Sequence, residues 1–250
     1  MVGVNRGCGG ATTPAFVVGA YAAMPPAQAE QQQFYRLLRE EDWIDGLEIP
    51  FPGDFPTRAE WLTDQLAPRW RSNTITAIPG TMKRLQTNPW FGLASPNQAG
   101  RAEALEFTEL IRRAVLRLAD RIGNPVVKYV QLHSAPTRYA EPRYLAASLS
   151  QLRECDWAGA RLVVEHCDQY VPGQEPEKGF LALEDEIEVA AESDVEVHIN
   201  WGRSCLEARD PARALAGISQ ARARGVLSGV VFSGVSATPT SFGPAWADAH

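Results

Sequence analysis

The chain is short of the groups that most directly announce a chemistry. Its 250 residues include four cysteines, Cys8, Cys155, Cys167 and Cys205, and no two of them form a C-x-x-C pair. That argues against a structural zinc site, and so few cysteines at this length argue against a disulfide framework. Basic residues are in deficit, 24 against 30 acidic ones, for a formal net charge of -6. Broad binding to polyanions depends on clustered Lys and Arg, so neither nucleic acid nor a membrane surface is an expected partner. No apolar stretch approaches the roughly 20 residues that span a bilayer. The opening MVGVNRGCGGATTP lacks a basic start followed by an apolar core and does not read as a secretory signal, so a cytoplasmic location is expected. The turn YAAMPPAQAE after the first apolar run contains no G-x-G-x-x-G, so no nucleotide cofactor is expected.

What the chain does have is an unbroken alternation of strand and helix patterns. Hydrophobic residues make up 45% of it, enough for a substantial core. After a Gly-rich segment read as flexible (1–14), strands are expected at 15–23, 46–51, 72–80, 126–134, 160–167, 195–201 and 228–234. Between them, helical spacing marks 31–43, 57–68, 101–123, 142–155, 179–193 and 211–225, with a loop at 89–100. No hairpin signal interrupts the series, which is the pattern of a parallel sheet. Seven repeats favour a closed (β/α) barrel, a TIM barrel, over an open doubly wound sheet. The eighth βα unit is not evident after 234, where SATPTSFGPAWADAH completes the sequence. Residues 15–250 therefore read as one barrel domain that is short of its closing unit: a truncated one, one that closes in an unusual way, or one whose gap a partner subunit fills.

Polar groups cluster at the carboxyl ends of these strands, the face on which barrel enzymes build their sites. They are Glu48 in GLEIPF, His133 in VVKYVQLHS, Glu165 and His166 in ARLVVEHC, and His198 and Asn200 in VEVHINW. Glu165, Glu48 and His133 are the expected catalytic groups. A carboxylate at a barrel tip can remove a proton from a carbon beside a carbonyl, and apolar neighbours such as Val163 and Val164 would raise its proton affinity. On strand alternation Glu165 faces inward and His166 faces the helices, while His198 lies one layer below Asn200. Arg203 suits a phosphate, carboxylate or sulfonate, unless it pairs with Glu207 one helical turn on. Lys178 in PEKGF is a similar candidate. Asn200, Trp201 and Trp246 complete the expected substrate-binding set, with aromatic faces suited to sugars.

The motifs EHC (165–167), INWGRS (199–204) and FSG (232–234), with GLEIPF, AIPGTM, LHSAP, GARLVVEHCD, PEKGF and FSGVS, carry a resemblance over nearly the whole chain. The chain resembles the xylose-isomerase-like barrels, which are sugar isomerases, epimerases and related enzymes. Within them it is most similar to a bacterial family of unknown function. The resemblance implies one divalent metal (Mn, Mg, Zn or Co) held by a Glu on strand five, an Asp and a His around strand six, a His on strand seven and a Glu on strand eight. Glu165 matches the first position. Asn200 stands where the Asp is expected and Ser233 where the strand-seven ligand is expected, and the strand-eight Glu has no counterpart. His198, Asp248 and His250 are then the expected remaining ligands.

The leading expectation is a sugar or sugar-phosphate isomerase or epimerase acting on a small carbohydrate, with a homo-oligomer as the expected assembly. A glycoside hydrolase or lyase would need Glu48 and Glu165 about 5–10 Å apart across the scissile bond. An endonuclease of the same superfamily would need three metals and a basic face. A non-catalytic carbohydrate-binding barrel would fit the loss of ligands at Asn200 and Ser233.

Overall fold

The computed structural model describes residues 14–248. Most of the expected flexible segment, Cys8 and the candidate ligand His250 lie outside those residues. Seven strands form one sheet in sequence order, every pairing parallel. They are β1 (Val17–Val18), β2 (Gly46–Pro50), β3 (Asn73–Thr76), β4 (Val127–Leu132), β5 (Arg161–His166), β6 (Glu196–Asn200) and β7 (Leu227–Val231). Sequential order with parallel pairing means that every crossover has the same sense, so the sheet curls. This is a TIM-barrel architecture with seven of its eight βα units. Among the described residues β1 and β7 do not pair, and β7 is only half-buried along its length.

Among the described residues eight α-helices pack outside: α1 (Gln28–Glu40), α2 (Phe55–Gln65), α3 (Ile78–Leu85), α4 (Gln98–Ile122), α5 (Pro142–Arg153), α6 (Leu183–Glu192), α7 (Trp201–Ala208) and α8 (Pro211–Arg224). The longest, α4, starts at Asn97, whose side chain accepts the Gly100 N–H, and ends at Gly123 in the left-handed region (φ 75°). Both features suit those residue types. Its buried face (Ala104, Phe107, Ile111, Ala114, Val115, Leu118) recurs at helical spacing. Ile75, Val130, Val164, Val197 and Ile199 from the strands pack into the same core.

Three expectations need correction. The first strand is Val17–Val18 alone, and Ala20–Ala23 form a 3-10 helix where continuous strand was expected. Residues 78–85 form α3 rather than the end of a strand, because Pro79 sits in the first turn, where its missing N–H costs nothing. Residues 201–208 form α7, capped by the Asn200 side chain, which accepts the Arg203 N–H at 3.2 Å. All three lie where a strand tip turns into a helix, and an apolar run gives no signal of that change.

Candidate active site

Glu165 is the centre of the polar cluster at the strand tips. It is the penultimate residue of β5 and is 3% exposed. His133, just past β4, donates from Nε2 to Glu165 Oε2 at 2.9 Å. Asn200, at the end of β6, donates from Nδ2 to Glu165 Oε1 at 3.1 Å. Burial alone would raise the proton affinity of Glu165, but the His133 hydrogen bond and charge, with Arg203 and Asn200, outweigh it and hold the pKa at about 2. Glu165 is therefore a fixed anion at neutral pH.

Glu48 on β2 is driven the other way. Burial, then the Glu165 charge, push its pKa up to about 8, with Arg203 opposing. Gly19 makes room for it: a Cβ at that position would lie 2.9 Å from Glu48 Oε2. Tyr21, in the 3-10 helix after β1, belongs to the same cluster. Its phenol is held neutral by burial first, then by Glu48 and Glu165, and it also feels Arg203 and Asp248. No sequence expectation included Tyr21. The only available signal was its place directly after the first strand.

Arg203 and Lys178 are both buried, at 7% and 8% exposure. Arg203 Nη2 meets Asp248 Oδ2 at 2.7 Å, and Lys178 Nζ meets the same oxygen at 3.5 Å. The expected alternative pairing of Arg203 with Glu207 does not form. Glu207 instead lies 3.4 Å from His166 Nε2. Asp168, another residue absent from the sequence reading, sets the position of Lys178. Its carboxylate accepts the Lys178 N–H at 2.9 Å and the Gly179 N–H at 3.1 Å, fixing the PEKGF loop over the strand tips.

His198 is the β6 register partner of Glu165, but its hydrogen bond goes elsewhere. The Gln131 amide meets its Nδ1 at 3.2 Å and its ring packs on Tyr129 at 4.7 Å. Burial lowers its pKa to about 4, so it stays neutral. Trp201 opens α7 and packs on Phe232 at 6.2 Å. Trp246 is half-buried in the C-terminal segment that carries Asp248.

His133, Glu165 and Cys167 each offer a ligand atom, and those atoms lie within 4.8 Å of one another. One ion could be shared there, and the donors fit: imidazole, carboxylate and thiol suit zinc or cobalt better than magnesium. His133 Nδ1 is buried without a hydrogen-bond partner among the described residues. Of the ligands expected from sequence, only Glu165 belongs to this group. Cys167, which the sequence analysis did not include among the candidate ligands, offers a ligand atom because it follows β5 two residues after Glu165 and lies on the same side.

Behind the cluster, on the helix side of the sheet, lies a second polar network. His166 Nδ1 donates to Glu186 Oε2 at 2.7 Å, and Ser134 donates to Glu186 Oε1 at 2.5 Å. His133 and Ser134, like Glu165 and His166, are consecutive residues that face opposite sides. The two networks therefore grip the same two strand tips.

A family model described as a domain of unknown function, DUF4862, matches residues 17–250. The chain belongs to this family. It is 32% identical over 246 residues to an uncharacterized protein of Salmonella typhimurium, covering 94% of this chain and 77% of that one. Among solved structures it is similar to an AP endonuclease of family 2 from Brucella melitensis (TM-score 0.58, 14% identity, covering 92% of this chain and 83% of that one). It is similar too to a xylose isomerase domain containing protein from Salmonella typhimurium (TM-score 0.56, 14% identity, 88% and 71% covered). An L-ribulose 3-epimerase has a TM-score of 0.54 at 15% identity, with 88% and 81% covered. At these identities the likeness concerns the fold, which is that of the xylose-isomerase-like barrels.

Proposed function

We propose that this DUF4862 member is a sugar or sugar-phosphate isomerase or epimerase that moves a proton beside a carbonyl. The observation that carries this reading is the pair Glu48 and Glu165, which reach one charge cluster from β2 and β5 and whose proton affinities are driven there in opposite directions. Such a split separates a group that exchanges protons near neutral pH from one that stays charged. The L-ribulose 3-epimerase with the same fold supports the reaction class.

In this reading Glu48 exchanges the proton, because a pKa of about 8 lets it both give and take one near neutrality. His133, hydrogen-bonded to the fixed Glu165 anion, is the second proton-handling group. The Tyr21 hydroxyl and Arg203 stabilise charge that develops on the substrate oxygen. Lys178, Trp201 and Trp246 line the substrate side, and Asn200 orients Glu165. A divalent ion, if bound, would be held by His133, Glu165 and Cys167 and would polarise the carbonyl. Residues 15–250 act as one domain on a small-molecule carbohydrate.

The test is a panel of aldoses and ketoses, free and phosphorylated, incubated in deuterated water with the metal-supplemented protein. Deuterium should enter the carbon beside the carbonyl and be lost in Glu48→Gln and Glu165→Gln. No incorporation with any sugar would remove the proposal.

A further inference from the structure

Resting on that reading, we infer that the substrate carries an oxyanion, a carboxylate or a phosphate, which binds Arg203 and Lys178 in the place now held by Asp248. Arg203 and Lys178 approach from different elements, α7 and the loop after β5, and converge on one oxygen, Asp248 Oδ2. Lys178 Nζ has a further, longer approach to Glu177 Oε2 at 4.0 Å, but the oxygen on which both buried cations meet is that of Asp248, and such a meeting point is a site built for negative charge. Arg203 also keeps Nε and Nη1 buried without hydrogen-bond partners among the described residues. Each of them shares an edge of the planar fork with Nη2, so an oxyanion that takes the place of Asp248 on Nη2 can accept a second N–H from the same edge.

The position of this cationic pair connects it to the reaction. Arg203 acts electrostatically on Glu48, Glu165 and Tyr21, so an anion bound to it lies within reach of the proton-handling groups. Asp248 belongs to the C-terminal segment, not to a strand or helix of the barrel. Two residues before it, Trp246 has a positive φ of 60°, which is strained for a bulky residue. The segment therefore lays a carboxylate on the cations through an unfavourable backbone turn. A ligand that displaces Asp248 relieves that turn, but only an anion can do so without stranding two buried positive charges. A neutral sugar cannot make the exchange.

The probes are inorganic phosphate, a hexuronate panel, a hexose-phosphate panel and the neutral parent hexoses, titrated calorimetrically into the full chain at fixed ionic strength. Anionic sugars should bind at least about tenfold more tightly than their neutral parents, and phosphate should compete with them. The tighter of the two anionic panels identifies the substrate's charged group. Asp248→Asn removes the competing charge and should tighten phosphate binding by about tenfold, while Arg203→Gln should abolish it. Equal binding of neutral and anionic sugars overturns the inference, as does unchanged phosphate affinity in a folded D248N. If D248N does not fold, the comparison on the unmodified chain decides alone. Deuterium exchange with neutral sugars only would sink this inference and leave the isomerase reading intact. Arg203-dependent phosphate binding with no exchange on any sugar would do the reverse.

Discussion

Asn200 turns its NH2 group, not its carbonyl, toward Glu165, with Nδ2 3.1 Å from Oε1. The orientation is fixed from the other side. Asn200 Oδ1 accepts the Arg203 backbone N–H at 3.2 Å and the Ser233 hydroxyl at 2.7 Å, and the backbone group can only donate. The position at which the resemblance leads one to expect an Asp ligand therefore delivers a hydrogen-bond donor to Glu165. Ser233, at the expected strand-seven ligand position, serves to hold that amide. Both departures from the metal-site pattern are parts of one hydrogen-bonded unit.

Asn200→Asp tests this unit. It replaces a donor with a second negative charge facing Glu165, which should destabilise the metal-free protein by about 1–3 kcal/mol. It also adds a carboxylate ligand beside His133, Glu165 and Cys167. Melting curves with and without zinc or manganese are the measurement. The variant should gain more stability from the ion than the unmodified chain does, because ligand binding to the folded state adds to stability. An equal gain in both would mean that Asn200 is not beside the ion.

Glu48 predicts a pH dependence of activity and a matching one of stability. Its folded pKa of about 8 lies above the ordinary carboxylate value of 4.5, so the folded state holds the proton more tightly than the unfolded one. The stability linked to that proton is present below pH 4.5 and is lost as pH rises toward 8. Glu48→Gln should remove this slope and be neutral or stabilising above pH 8, while proton exchange collapses. The kcat profile of the unmodified protein should show an ionisation near 8 that is absent from any residual activity of E48Q. Loss of stability in E48Q at high pH would contradict the assigned burial of a neutral carboxyl.

The order of strands and helices was legible because buried parallel strands are short apolar runs and the helices carry a 3.6-residue stripe. The strand-tip residues Glu48, His133, Glu165 and Asn200 were legible for the same reason, since the period of two fixes which side chains face inward. Tyr21, Asp168 and the place of Cys167 beside His133 and Glu165 were not. Tyr21 depends on a 3-10 turn that reads as strand, and Asp168 acts through backbone N–H groups ten and eleven residues away. The Arg203–Asp248 pair spans 45 residues of sequence, and no local spacing encodes it. The one-turn neighbour Glu207 was the natural local guess, and it lost because His166 and the Gln169 N–H claim its carboxylate.

His166 and Glu186 predict a stability loss at alkaline pH. Burial alone would lower the His166 pKa, but Glu186 and then Glu207 raise it to about 10, well above the ordinary 6.5. The folded state thus favours the charged imidazole. Its contribution is complete below pH 6.5 and declines as pH rises through 10. Glu186→Gln leaves His166 buried with one carboxylate fewer and should cost about 3–5 kcal/mol at pH 6, with a smaller penalty at pH 10. Denaturant unfolding at the two pH values is the check. A penalty that does not change with pH would show that the imidazole is not charged.

Gly202 predicts a defect that reaches the site through the backbone. A Cβ there would lie 2.4 Å from Ser233 Oγ and 2.5 Å from Ser233 O, too close for either to stay in place. Gly202→Ala must therefore push the first turn of α7 away from the tip of β7. That movement stretches the Ser233–Asn200 hydrogen bond and, through it, the Asn200–Glu165 contact. Overpacking of this kind costs about 1–3 kcal/mol of stability. Proton exchange should fall further than stability does, because folding tolerates a displaced helix better than Glu165 tolerates a displaced donor. Adding Ser233→Ala clears the hydroxyl but not the backbone oxygen, so the double variant should recover only part of the lost stability. It should recover none of the exchange activity, since Asn200 has then lost its second anchor. Full recovery of activity in the double variant would show that Asn200 is held without Ser233.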